Sequence, residues 1–477
     1  MQHVEEFLRL QARRRFLTSA GMGLGATVMS SLGAGQQAQA QTMPLPPGVD
    51  HVIFLFMAGA PSQLDLLDPK PDLARMFRQP LPASVSNGQR VTAMTRGATQ
   101  LVAPSMFRFA PRGESGLEMC ELLPHLSEVA DELCVIRSMN TNAINHDPAK
   151  TFFCTGAEIP GKPSMGSWLS YGLGSMNRDL PDFIVLTSAF WTGGTRNVQA
   201  LYSRLWGSGF LPSRHQGAAF QVAGDPVLYL SNPAGVDRDV RRRMLDAMQR
   251  INQQHLQEIG DPEIRTTIAQ QEMAFRMQAS VPELTEIGSE PEHVFERYGA
   301  EVHKPGSYAR NCLLARRMVE RGVRFIQLFH RCWDHHNILP QQLRGQCFDV
   351  DQPSAALIQD LRLRGLLDRT MIVFAGEFGR TCYGQGKLER DDYGRDHHPR
   401  CFSAWVAGGG VRGGTTYGRT DDFSYNVVEN PVAVRDLHAT MLHQLGVDHR
   451  RLTFPFQGLD QRLTGVEEAR VVHEILS

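Results

Sequence analysis

The sequence predicts an α/β sandwich: a largely parallel central sheet flanked by helices. Three observations carry this. Short, mostly apolar runs recur along the chain, at 51–57 (HVIFLFM), 182–186 (DFIVL), 323–329 (VRFIQLF), 371–375 (MIVFA) and 402–407 (FSAWVA). Runs of that length, bounded by glycine or polar turns, read as strands buried on both faces. Stretches of helical period separate several of them, as at 308–321 and 354–367, and such alternation builds parallel sheets. Finally, residues that bind metals cluster just beyond the ends of these runs, where open α/β sheets hold their ligands.

The 477 residues are 42% hydrophobic and 21% charged, with a formal net charge of −1. That composition suits a large folded core and lacks the basic excess of a nucleic-acid binder. Seventeen histidines are more than an ordinary core needs. The eight cysteines form no C-x-x-C pair, so a thiolate zinc site is not expected. Cys120–Cys134 and Cys332–Cys347 are the local pairs open to oxidation, and eight free, buried thiols are the alternative.

Residues 1–40 read as a twin-arginine export signal. Arg13, Arg14 and Arg15 precede Phe16 and Leu17, then a Gly- and Ala-rich run, then a small-residue cleavage site at Ala38–Ala40. The expected product, residues 41–477, is exported to a periplasm or beyond. It has no further stretch of the roughly 18 apolar residues that a spanning helix needs.

The first strand, 51–57, is followed by Asp65 and Asp68, which either join a site or cap turns. Residues 117–129 read as an amphipathic helix and 133–137 as a short strand. His146 and Asp147 open the next helix, which ends at Gly156. Residues 190–234 are rich in Gly, Pro, Ser and aromatics and read as irregular. Arg204, Arg214 and His215 in that stretch line a pocket mouth or a solvated loop. Around 235–300 the chain reads as a helical insertion, highly charged and solvent-facing. Asp334, His335 and His336 follow the strand at 323–329. Glu377 follows the strand at 371–375, and Asp396, His397 and His398 lead into the one at 402–407. A last helix covers 432–445.

These clusters define the expected site. Asp334, His336, Glu377, Asp396 and His397 are the expected metal ligands. His336 is preferred over His335 because Asp334 and His336 share a face of an extended segment. Mixed carboxylate and imidazole donors suit a divalent zinc, manganese or iron ion. One or two such ions would hold a phosphate or sulfate ester and activate water.

With these residues laid out, the chain resembles the alkaline phosphatase and sulfatase superfamily, and most closely its exported bacterial branch, the domain of unknown function numbered 1501. The branch is suggested by Trp333–His336 (WDHH), Glu377–Arg380 (EFGR) and Gly394–His397 (GRDH). The sulfatase signature C-x-P-S-R-x-x-x-L-T-G resembles His146–Gly156, with Pro148, Thr155 and Gly156 matching and His146 at the nucleophile position. Glu377–Gly379 stands where the superfamily has D-N-G, and Asp436–Gly446 resembles its late helical segment. Two departures weigh against ordinary sulfatase chemistry. The usual aspartate pair after the first strand falls at Ala58 and Gly59, and His146 replaces the modified cysteine.

The resemblance implies a sulfatase-like fold with a rebuilt site. The expected activity is metal-dependent hydrolysis of a sulfate, phosphate or related ester, small or carried on a polysaccharide. His146 is the expected catalytic residue, as a further ligand, a base or a nucleophile; Thr151 and Ser62 are fallback nucleophiles. Lys150, Arg380 and Arg395 are expected to neutralise the bound oxyanion. The alternative is a non-catalytic protein that uses the fold to bind a polysaccharide or a co-exported partner.

Overall fold

The computed structural model describes residues 48–189, 198–221, 231–233 and 235–477. The expected export signal and parts of the irregular 190–234 stretch lie outside the described residues.

A nine-stranded sheet organises these residues. In chain order the strands are β1 (His51–Met57), β2 (Phe109–Arg112), β3 (Leu117–Cys120), β4 (Leu133–Asn140), β5 (Phe183–Thr187), β6 (Ala218–Phe220), β7 (Phe325–His330), β8 (Thr370–Ala375), β9 (Gly379–Gln385), β10 (Gly394–His398), β11 (Phe402–Gly408), β12 (Thr415–Tyr417), β13 (Arg419–Thr420), β14 (Val427–Glu429), β15 (Val432–Ala433), β16 (Phe454–Phe456) and β17 (Leu459–Gln461). The sheet runs β12-β4-β11-β8-β1-β7-β5-β6, with β15 also on β4. Four separate two-stranded ladders join β2 to β3, β9 to β10, β13 to β14 and β16 to β17. Central strands β1, β7 and β8 are buried at every residue, which is why they read as unbroken apolar runs without alternation.

Eight strands of the sheet share one direction, and β11 alone runs against both its neighbours. That reversal positions the site. β11 pairs Trp405 with Phe374 and Gly408 with Met371, so its first residues lie at the carboxyl end of β8. The chain leaves β8 at this rim, turns through the β9–β10 hairpin and re-enters at the same rim. Residues just before β11 and residues just after β8 are thereby brought together. β1, β4 and β7 also end here.

The helices that matter below are α1 (Gln63–Leu66), α2 (His146–Thr155), α3 (Met165–Leu173), α4 (Arg238–Ile259), α5 (Pro262–Thr285), α6 (Tyr308–Glu320), α7 (Leu339–Leu363) and α8 (Val434–Gln444). α4 and α5 lie in the region expected as a helical insertion. They pack through Arg242, which pairs with Glu272 at 2.6 Å and covers the ring of Phe275.

Two expectations are corrected, and of the two cysteine alternatives the structure has the free one. Residues 117–129 are not one helix. Gly113 and Gly116, both at positive φ, return the chain so that β3 pairs with β2, and only Pro124–Glu128 is helical. The helix expected at 354–367 is the second half of the longer α7, which carries Pro353 inside it. All eight cysteines are free and buried, so neither local pair is bridged. No helix among the described residues is long and apolar enough to cross a membrane.

Candidate metal centre

Four side chains meet at the carboxyl rim of the sheet: His146 from the first turn of α2, Asp334 and His336 from the loop after β7, and His397 from β10. One donor atom from each lies within 4.8 Å of every other. Three imidazoles converge on a single carboxylate oxygen. From Asp334 Oδ1, Nε2 of His336 is 2.8 Å away, that of His146 3.2 Å and that of His397 3.4 Å.

The far nitrogens decide what the near ones present. Nδ1 of His146 lies 2.6 Å from Glu377 Oε1, and Nδ1 of His397 lies 2.9 Å from the carbonyl oxygen of Ile144. Both partners accept only, so both Nδ1 atoms carry the proton and donate it. His336 Nδ1 is 2.5 Å from Gln385 Oε1, the same arrangement. Each imidazole then turns its Nε2 lone pair toward Asp334. Acceptors facing acceptors at these distances repel unless positive charge lies between them. Nε2 of His146 and of His397 are buried and make no hydrogen bond. A proton would relieve one such contact, whereas a divalent ion relieves all of them. In a tetrahedral zinc site with bonds of about 2.0–2.1 Å, neighbouring donors sit roughly 3.3 Å apart, close to the three separations from Asp334 Oδ1. The residues therefore fit a single transition-metal ion with an N3O donor set.

The electrostatics agree at Asp334 and His397 and oppose a neutral ring at His146. Burial alone would raise the pKa of Asp334, yet the Arg380 guanidinium and the three imidazoles hold it far below the usual carboxylate range. Burial lowers His397 to about 4, keeping it neutral as a ligand must be, against the pull of Asp334. For His146 the same burial is outweighed by Asp334 and Glu377, and its pKa is raised, which favours a protonated ring without an ion; metal binding there has to displace that proton.

Of the expected ligands, the structure brings together Asp334, His336 and His397, and His146 joins them. Glu377 stands one step back. Fully buried at the end of β8, it accepts the Gly59 N–H at 3.0 and 3.1 Å and the proton of His146. A carboxylate on the outer nitrogen of a ligating histidine fixes its tautomer and orientation. Asp396 is not among the four. It alternates to the other face of β10 from His397, where Thr92 and Thr95 each donate to its Oδ2 at 2.5 Å. Arg395 is also turned away, paired with Asp65 at 2.7 Å in full burial. That pair accounts for Asp65, and Asp68 is bound by Thr420, Ser424 and Lys70, so both lie outside the cluster.

Arg380 does reach the centre. It donates to Asp334 Oδ1 at 2.7 Å and to the carbonyls of Gly59, Ala60 and Arg395, tying the β1 loop to the rim. Lys150, one turn along α2 from His146, is buried and donates to the carbonyl of Ala200 at 2.6 Å. Burial lowers its pKa, with Glu377 acting in the opposite sense. Three residues went unread in the sequence. Gln199 donates to Asp334 Oδ2 at 3.0 Å, and Gln385 holds His336. No sequence motif marks either glutamine. Gly59 had a signal, a glycine at a strand end: at φ 113° a Cβ would fall 2.6 Å from the backbone nitrogen of Asp334.

A family model described as "Protein of unknown function (DUF1501)" matches residues 49–476. The chain belongs to the DUF1501 family. A search of curated proteins found no significant match. Among solved structures, the chain is similar to the lipoteichoic acid synthase LtaP from Listeria monocytogenes, at 10% identity over 88% of this chain and 75% of that one, with a TM-score of 0.34. It is also similar to the phosphonate monoester hydrolase SpPMH from Silicibacter pomeroyi (12% identity, 90% and 76%, TM-score 0.34). A third is the PsFucS1 sulfatase from Pseudoalteromonas sp. (13%, 84% and 68%, TM-score 0.34). At these scores the likeness is distant, and neither site nor activity of this DUF1501 protein is carried over from it.

Proposed function

We propose that this DUF1501 chain is an exported, metal-dependent hydrolase of a sulfate, phosphate or related ester, small or borne on a polysaccharide. The observation that carries the reading is the convergence of three imidazole lone pairs and one carboxylate oxygen on one point, each imidazole locked from behind. A divalent ion held by all four side chains would supply Lewis acidity, and would activate water by accepting it as a fifth ligand.

The chain's own groups have separable tasks. His146, His336, His397 and Asp334 hold the ion. Glu377 keeps the proton of His146 on Nδ1, which makes His146 a ligand in preference to a nucleophile or base. Arg380 is committed to carbonyls and Asp334, so it shapes the centre and leaves little for substrate. Lys150 uses one of its three protons on Ala200 and remains the cation nearest in sequence to His146 for an anionic ester. Side-chain exposures of 7–17% at the four ligands leave a narrow approach, which favours an ester group presented end-on.

The twin-arginine motif at Arg13–Leu17 supports export. A co-exported protein partner belongs to the alternative reading, in which the centre is structural.

Metal content by mass spectrometry on protein recovered after export tests the proposal, beside a His336→Ala/His397→Ala variant and a panel of sulfate and phosphate esters. About one transition-metal ion per chain, and hydrolysis lost with it in the variant, supports the hydrolase. Metal without turnover of any ester moves the weight to a structural or binding role. A metal-free native protein removes both readings of the centre.

A further inference from the structure

α4 is a 22-residue helix with two distinct faces. One packs on α5 through Leu245, buried at 4% exposure, and Arg242. The other carries Met244, Met248, Ile251 and Ile259, exposed at 47%, 43%, 52% and 68%. Their spacing of four, three and eight residues returns to one side at each helical turn. His255 occupies the missing turn. Single exposed apolar residues need no explanation, but a stripe along about 23 Å of helix, broken only at His255, does.

The charge along α4 says what covers it. Arg238, Arg241, Arg242, Arg243 and Arg250 fill the first 13 residues of the helix, against Asp239 and Asp246, and the last turn carries Glu258. Such a helix is complementary to itself when reversed. With Ile251 at the centre, an antiparallel copy sets Met244 beside the second copy's Ile259 end, Met248 beside its His255, and Arg243 beside its Glu258. The two helix dipoles also oppose. A lipid surface is the poorer occupant: the stripe holds no Trp, Phe or Leu, and its carboxyl-terminal end carries no cation.

We propose that the exposed face of α4 pairs antiparallel with α4 of a second copy, forming a two-fold homodimer through the helical insertion. Such an interface is isologous, each contact occurring twice. Because one helix pair forms it, association is weak and depends on concentration.

Sedimentation equilibrium on the full chain over a range of concentrations tests it. The native protein is expected to show a reversible monomer–dimer equilibrium. Met248→Glu/Ile251→Glu, at exposed positions with no packing to lose, should raise the dissociation constant at least ~10-fold, since four carboxylates then meet in the seam. Arg243→Glu and Glu258→Arg should each weaken the dimer, and their combination should restore it. A native chain monomeric at its highest soluble concentration overturns the proposal. So does a dimer indifferent to these substitutions, or native protein that floats with anionic vesicles while remaining monomeric alone.

Discussion

Replacing Glu377 with Gln tests whether the centre works from behind. The side chain keeps its shape, and an amide oxygen at the Oε1 position still meets both the Gly59 N–H and the His146 proton. The new amide N–H, however, faces the Gly59 N–H at the Oε2 position, and the oxygen no longer carries charge. His146 is then held from behind by a weaker, neutral acceptor. Removing such an outer partner of a ligating histidine typically lowers metal affinity about 10–100-fold. That is about 1.4–2.7 kcal/mol. With free zinc held at ~100 times the native dissociation constant, binding stabilises the native fold by about 2.7 kcal/mol. The variant would gain only about 0.4–1.4 kcal/mol at the same zinc level. Competition with a chromophoric chelator gives the affinity, and urea unfolding at buffered zinc gives the stability. A variant that binds zinc as tightly as the native protein, while His397→Ala does not, would refute the role of Glu377 and the tautomer argument with it.

Other outcomes follow from the same geometry. His397→Ala should abolish stoichiometric metal binding, whereas Asp396→Asn should leave the metal in place and cost only the Thr92 and Thr95 contacts, both read by metal content. Arg395→Met should destabilise the fold by about 3–5 kcal/mol, because it strands Asp65 as a buried, unpaired carboxylate, and equilibrium unfolding measures this. His438, fully buried on the carbonyl of Phe153, has its pKa lowered to about 4 by burial. Its folded pKa lies below its unfolded one, so the unfolded chain binds the extra proton between about pH 6.5 and 4, and stability falls as the pH drops through that window. At about pH 5 the loss from this residue is about 2 kcal/mol, absent in a His438→Gln variant when unfolding is compared at pH 7 and 5.

Composition and pattern were sufficient for the architecture. Buried strands announce themselves as apolar runs, because a strand covered on both faces has no solvent side to alternate with, and β1, β7, β8 and β11 were all legible. The 117–129 segment was misread because β3 and a short helix lie end to end within it, and only the partner β2 makes β3 a strand. For the site, residue chemistry pointed to loops that the fold brings together: Asp334, His336 and His397 were expected as ligands and His146 as catalytic, and the four cluster. The facing of adjacent residues was not legible. Arg395, Asp396 and His397 are neighbours in β10, yet a register shift between Arg395 and His397 breaks the regular alternation. Only His397 meets the centre, and the fold uses Arg395 and Asp396 to bind Asp65 and two threonines. A sequence marks which residues have ligand chemistry, but a strand's register decides which of them face the same point. Here β10 takes its register from β9, while β11 running backward brings that hairpin to the rim through pairings between segments more than two hundred residues apart, such as β11 with β4. Gln385, Gln199 and the carbonyl of Ile144 are legible only in three dimensions, because any residue can supply a carbonyl and glutamines are common. What turns three histidines and an aspartate into a candidate metal centre is the acceptor behind each imidazole, and tertiary structure alone places those.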